Sequence, residues 1–211
     1  MDSENIKVVL LNGSPHKHGT TYTALSEIAS ALVECGIEAK ILHVGGDPHR
    51  GCTACGACRS SGKCIFDDGI NEIAEEIMRA DGLIIGSPVY YSSPNGNLIS
   101  LLDRLFYAYS KKFPRMLVGA SVVAARRGGC TATFDVLNKY FTISGMPIVS
   151  SCYWNMVHGR SADEAKEDLE GLYTMRTLGK NMAFLIKSIR LGRESLGLPQ
   201  LEERPYTNFI R

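Results

Sequence analysis

Four cysteines, Cys52, Cys55, Cys58 and Cys64, crowd into thirteen positions of the stretch "GCTACGACRSSGKC", with the spacing C-x2-C-x2-C-x5-C. Thiolates this close can converge on one centre, and C-x2-C turns suit tetrahedral sulfur ligation. Compact C-x2-C-x2-C runs also serve 4Fe–4S clusters. Zinc more often takes two well-separated knuckles. Such cysteines can equally remain thiols or form disulfide pairs, so the spacing leaves cluster, zinc and no metal open. The other three, Cys35, Cys130 and Cys152, are scattered and read as small buried hydrophobes.

Three further stretches carry chemistry of another kind. "NGSPHKHGTTYT" (12–23) follows an apolar run and opens a helix. It is neither G-x-G-x-x-G nor a P-loop, which would end in Gly-Lys-Ser/Thr. Ser14, His16 and Gly19-Thr20-Thr21 stand here instead. Orphan amides at a helix start, joined by hydroxyl donors, suit a monoester phosphate dianion. The competing reading is a plain N-cap made by Thr20 or Thr21. In "GSPVYYSSPNGNL" (86–98), Pro88 and Pro94 stiffen a strand end that carries Tyr90 and Tyr91. Aromatic rings and free amides there make a platform for a flat heteroaromatic ring, or the tyrosines pack a subunit interface. In "AARRGGC" (124–130), Gly128 and Gly129 permit close backbone approach to a ligand. Arg126 and Arg127 could place positive charge beside a ring that becomes anionic when reduced. They read alternatively as a solvated pair on a Gly-rich turn.

The elements that must position these loops alternate along the chain. Continuous apolar runs at 6–14, 37–44, 82–91, 115–125 and 146–151 read as buried strands. Helical periodicity covers 20–35, 70–80, 95–109 and 130–143. A capping box, Ser161 with Glu164, starts a last helix running to about residue 190. Residues 45–68 form a Gly- and Cys-rich excursion, and 191–211 a tail of little periodicity. This alternation predicts an α/β fold, a doubly wound five-stranded parallel sheet in the flavodoxin-like order 2-1-3-4-5 with a C-terminal helix and tail. Ligands in such sheets bind beyond the C-terminal strand ends, so the loops after strands one, three and four should face one another. We read 1–155 as the ligand-binding part, with its insertion at 45–68, and 156–211 as a helix and tail of the same domain at a subunit interface.

Composition narrows the class. A chain of 211 residues with 45% hydrophobic residues, 21% charged residues and net charge +1 is an ordinary globular protein. It gives no electrostatic reason to expect nucleic-acid or membrane partners. No apolar run reaches the roughly 18 residues of a membrane helix. "MDSENIKVVLL" lacks a basic region followed by a long apolar core, so a cytoplasmic location is expected, where a disulfide framework is not.

Taken in order, "GSPHKHGTT", "SPVYYSSPNGNLISLLDR" and "RRGG" resemble the NADPH-dependent FMN reductase family of flavodoxin-like proteins, and among them the iron–sulfur flavoproteins. The resemblance spans about residues 5–155. It implies that Ser14, His16, Thr20, Thr21 and Tyr22 border the FMN phosphate. It implies that Pro88, Val89, Tyr90, Tyr91 and Ser92 lie against the isoalloxazine and ribityl chain. Arg126, Arg127, Gly128 and Gly129 would close over the ring. Cys52, Cys55, Cys58 and Cys64 would be the ligands of one 4Fe–4S cluster. No Ser-His-Asp or Cys-His nucleophile motif is legible, so the flavin itself is the expected reactive group; His158 approaches from the far end of the chain or is structural. The expected activity is electron transfer from NAD(P)H to a quinone, an azo or nitro compound, or free flavin, in a homodimer or homotetramer. Two alternatives stand beside it: an electron-transfer protein fed by ferredoxin, and a sensor that uses its cysteines as a redox switch.

Overall fold

The computed structural model describes residues 5–203 and 205–207, so part of the expected tail lies outside the described residues. Its strands are β1 (Lys7–Asn12), β2 (Glu38–His43), β3 (Gly82–Tyr90), β4 (Ser93–Pro94), β5 (Val118–Ala125) and β6 (Met156–His158). They lie in the order β2-β1-β3-β5-β6, every neighbour parallel, while β4 folds back antiparallel on β3. Counting the parallel strands alone, this is the expected 2-1-3-4-5 order.

The continuous apolar runs follow from burial of both faces. Val8 and Leu10 enter one core, Val9 and Leu11 the other, and all four are 0% exposed. Successive side chains of a strand point to opposite faces, so a strand with helices on both sides needs no polar alternation. Each such side chain, fully buried, contributes about 1.5–3 kcal/mol. One face is covered by α1 (Thr20–Glu34), α6 (Ala162–Glu167) and α7 (Leu169–Leu196). The other is covered by α3 (Ile70–Met78), α4 (Gly96–Tyr109) and α5 (Cys130–Ile143). A short α2 (Ala57–Ser61) lies within the cysteine excursion.

Three expectations change. The stretch 146–151 makes one isolated bridge, Gly119 with Ile148, and the fifth parallel strand is Met156–His158. At that bridge the Gly119 amide donates to the Pro147 carbonyl (2.8 Å) and the Val149 amide to the Gly119 carbonyl (2.9 Å), and pairing resumes where the Val123 amide donates to the Asn155 carbonyl (2.9 Å). The last helix is two helices. Ser161 caps α6 by accepting from the Glu164 amide. Asp168 then leaves helical geometry and caps α7 by accepting from the Gly171 amide (2.9 Å). Finally, the loop after the third strand is a hairpin: Val89 pairs with Pro94 and Tyr90 with Ser93. Tyr91 (φ 51°) and Ser92 (φ 57°) form its two-residue tip, both left-handed. Two positive φ values in succession mark a type I′ turn, which matches strand twist but normally asks for Asn-Gly.

Candidate functional site

β1 delivers the chain to a loop held from three sides. The Asn12 side chain is buried; its Oδ1 accepts from the Ser14 amide (3.1 Å) and its Nδ2 donates to the Lys17 carbonyl (3.0 Å). Asn95, at the start of α4, donates through Nδ2 to the Gly13 carbonyl (2.8 Å), and His43 on β2 donates through Nε2 to the Ser14 carbonyl (2.8 Å). Gly45 then packs flat on the loop, where a Cβ would come 2.4 Å from the Gly13 and Ser14 carbonyl oxygens. The N-cap of α1 is Gly19, and no side chain caps the first turn. Thr20 does not cap; its hydroxyl donates to the carbonyls of Gly159 (3.3 Å) and Ser161 (3.2 Å). The amides at the start of α1 therefore lack side-chain acceptors, and the macrodipole favours an anion there. This disposes of the plain N-cap reading.

The hairpin and the loop after β5 lock together beside this loop. Ser87 is fully buried; its hydroxyl donates to the Pro88 carbonyl (2.8 Å) and accepts from the Asn95 amide (3.0 Å). Gly129 (φ 93°) sits under the hairpin tip, where a Cβ would lie 2.9 Å from Ser92 Oγ and from Val89 Cγ1. A left-handed φ and this close approach both exclude a larger residue.

Residues 14–21, 88–90, 124–126 and 159–162 line one cavity of about 840 Å³. Such a volume suits a ligand of nucleotide size. Lys17, Arg126 and Arg160 line it, and no acidic residue does. Of the expected site residues, Ser14, His16, Thr20, Thr21, Pro88, Val89, Tyr90 and Arg126 meet here. Six do not line the cavity. Tyr22 turns its ring to His18 (edge-on, 4.7 Å), lining a neighbouring hollow beside β2. Tyr91 is fully exposed at the hairpin tip with Ser92, Arg127 and Gly128 are exposed, and Gly129 supports the hairpin from beneath. Residues 159–162 are a fourth contributor that sequence reading did not assign to the site. The capping box at Ser161 marked a helix start, but only the parallel pairing of β6 with β5 brings it beside α1.

A Cys-His-Asp group also emerges that no motif announces. Cys130 Sγ lies 4.0 Å from His158 Nε2, and His158 Nδ1 lies 3.8 Å from Asp168 Oδ2, which also accepts from the His158 amide (2.7 Å). Cys130 is buried, and burial pushes its thiol pKa up. That favours the neutral thiol over a nucleophilic thiolate.

The four clustered cysteines are free thiols lining one small cavity of about 30 Å³. Cys52 and Cys55 are exposed, and Cys58 and Cys64 are partly buried. Among the described residues no three His, Cys, Asp or Glu side chains are grouped as a metal site. The donor set suits a thiolate-ligated centre, while the sulfurs are not gathered at one point. At the base lies Arg104, a buried arginine on α4 and a second residue that sequence reading passed over. Its place within the leucine stripe Leu101, Leu102, Leu105 was the available signal, because a cation on a core-facing position needs partners.

A doubly wound parallel sheet with an anion-receptive helix start at its topological switch point is the architecture of a mononucleotide-binding protein. Residues 6–161 match the family described as NADPH-dependent FMN reductase, and the chain belongs to that family. An iron–sulfur flavoprotein of Methanocaldococcus jannaschii is 32% identical over 196 residues, covering 88% of this chain and 100% of that one. An iron–sulfur flavoprotein of Methanosarcina thermophila is 29% identical, covering 90% of this chain and 100% of that one. Among solved structures, RosB with a bound flavin-derived intermediate superposes with TM-score 0.70 at 15% identity, covering 98% of this chain and 94% of that one. The NAD(P)H:quinone oxidoreductase of Methanothermobacter marburgensis superposes with TM-score 0.64 at 18% identity, covering 84% and 96%. The WrbA-like flavodoxin of Agrobacterium tumefaciens superposes with TM-score 0.59 at 19% identity, covering 88% and 99%. These likenesses establish the flavodoxin-like fold. Family membership makes the protein a flavin-dependent oxidoreductase with FMN as its cofactor.

Proposed function

We propose that the protein passes electrons from NAD(P)H to a small acceptor such as a quinone, an azo or nitro compound, or flavin. One observation carries this reading. The 840 Å³ cavity combines an uncapped helix start with the hairpin residues 88–90 and Arg126, and holds no acidic side chain. FMN, when bound, supplies hydride acceptance at N5 and delivery of electrons singly or in pairs. The chain's own residues bind and orient. Ser14, Thr21 and the first amides of α1 would receive the phosphate, with His16 and Thr20 at its rim. Pro88, Val89 and Tyr90 would support the ring, with Tyr91 and Ser92 at its outer edge. Arg126 would place positive charge near it, Arg127, Gly128 and Gly129 forming the turn that carries it. Tyr22 lies edge-on to His18 in the neighbouring hollow and would border the phosphate loop from outside the cavity.

Since no second nucleotide motif is legible, donor and acceptor would use the same face in turn, giving ping-pong kinetics. Steady-state rates for NADPH with a quinone should give parallel double-reciprocal lines. Intersecting lines would place both substrates on the protein together and overturn the shared pocket.

A second reading has its own support in the four free thiols around one cavity and in relatives named iron–sulfur flavoproteins. In it, Cys52, Cys55, Cys58 and Cys64 would hold a 4Fe–4S cluster, and the protein would carry electrons from a ferredoxin. Protein purified without oxygen decides between them, with iron and acid-labile sulfide counted per FMN and NADPH added to the oxidised form. Four irons per flavin and no bleaching by NADPH would favour the carrier. Rapid bleaching without iron would favour the simple reductase. The exposed side of α7 (Leu169, Tyr173, Phe184, Leu191) is where we place the contact of a homodimer or homotetramer.

A further inference from the structure

Arg104 is 2% exposed, and its guanidinium serves the cysteine excursion. Nε and Nη2 both donate to Cys64 Sγ, at 3.4 Å and 3.3 Å. Nη1 donates to Asp68 Oδ2 (2.6 Å) and the Arg50 carbonyl (3.2 Å); Nη2 donates to Asp68 Oδ1 (2.8 Å) and the Phe66 carbonyl (2.8 Å). One side chain thus ties the segments on either side of the cysteine run, residue 50 and residues 64–68, to helix α4. A second tie holds the same cysteine: Asn71 donates through Nδ2 to the Cys64 carbonyl (3.3 Å), and Tyr109 on α4 donates to Asn71 Oδ1. Cys52 and Cys55, by contrast, stand exposed. The four sulfurs are therefore unequal, one held by hydrogen bonds from α4 and two exposed.

We propose that Arg104 is the positioning residue of the thiolate site: it fixes Cys64 as the anchoring ligand and tunes the bound centre through its N–H bonds to that sulfur. The proposal deepens the iron–sulfur reading and rests on it. A bidentate pair with Asp68 balances the charge of the buried guanidinium, so removing the guanidinium would leave an uncompensated carboxylate beside Cys64. Hydrogen bonds to ligand sulfur and net local charge are among the factors that set a cluster's potential. Relative to its removal, the guanidinium stabilises the more negative, reduced form through both. A neutral amide at this position should lower the potential, and a lysine should do so less. The lysine ammonium keeps the charge, but as a point donor it cannot reproduce a fork that serves a sulfur, a carboxylate and two carbonyls together.

The test uses Arg104→Gln and Arg104→Lys in the full chain, purified without oxygen. Iron and sulfide per FMN are counted, and the cluster is titrated potentiometrically with the reduced form read by electron paramagnetic resonance. The wild type should hold four irons per FMN. In Arg104→Gln the ratio of reduced to oxidised cluster at fixed potential should fall about tenfold, equivalent to about 59 mV for one electron. Arg104→Lys should fall between the two and decides the matter if the glutamine variant does not fold. A merely structural arginine would change yield or melting temperature and leave the potential where it was. Potentials of both variants equal to wild type, with the cluster present, would overturn the role of Arg104 and leave the cluster reading intact. Wild-type protein with FMN and no iron would remove the cluster reading, and the proposal with it.

Discussion

Gly45 shows how much a single atom decides at the candidate phosphate loop. Its missing Cβ leaves room for two backbone carbonyls, Gly13 and Ser14, neither of which can yield as a flexible side chain would. Gly45→Ala must push the loop off the start of α1 and misaim its amides. We expect at least a tenfold loss of FMN affinity, about 1.4 kcal/mol, read as the Kd from quenching of FMN fluorescence. An unchanged Kd would detach the loop from flavin binding. At the same scale, a pair of surface-edge ions sets part of the acid limit. The ammonium of Lys7, then that of Lys40, holds the Glu76 carboxyl below its ordinary pKa. A carboxyl depressed in the folded state contributes above its unfolded pKa, about 4.3, and loses that contribution as pH falls through the lower folded value. Glu76→Gln should therefore be less stable than wild type at pH 7, and the gap should be smaller at about pH 3. Urea midpoints at the two pH values check the sign. High salt should narrow the difference, because the pair is partly exposed.

Elements bring strain and support together. The hairpin of β3 and β4 turns on Tyr91 and Ser92, both left-handed, although neither is glycine or asparagine. A left-handed L-residue costs roughly 1–2 kcal/mol. Strain of this kind persists where surrounding structure enforces it and clusters at functional positions. Ser92→Gly should raise stability by about 1 kcal/mol in chemical denaturation, since glycine adopts this φ freely. The same change should weaken support for any ring resting on the hairpin, seen as a raised KM for the acceptor with kcat little altered. Loss of stability instead would mean the Ser92 hydroxyl matters more than its backbone.

Across the whole molecule, the cavity draws on four separate segments, so ligand binding should couple to global folding. A ligand that binds only the folded chain, at one hundred times its Kd, stabilises it by about 2.7 kcal/mol. For a chain of this length that is roughly 5–10 °C in Tm. Calorimetry with and without saturating FMN should find one transition moving by this amount. A transition that splits, with only part moving, would mean that residues 159–162 do not share the cavity's cooperative unit.

Much of this protein was legible from residue order alone. Burial of both sheet faces demands unbroken apolar strands and amphipathic helices, so Val8–Leu11, Leu83–Ile85 and Val118–Val123 announced the doubly wound sheet. Three loops at strand ends then had to meet. Local chemistry also reads locally, as in the cap at Ser161. Partners distant in sequence do not. Pro147 could not show that pairing moves on to Met156, nor could Asp168 show that it would serve the His158 amide and the α7 cap together. Arg104 looked like one polar residue on a leucine stripe, and its meaning depends on Cys64 and Asp68, 40 and 36 positions away. Periodicity reports which face a residue occupies, while only the tertiary structure decides what that face meets, because long-range pairing is a property of the packed chain rather than of any one segment.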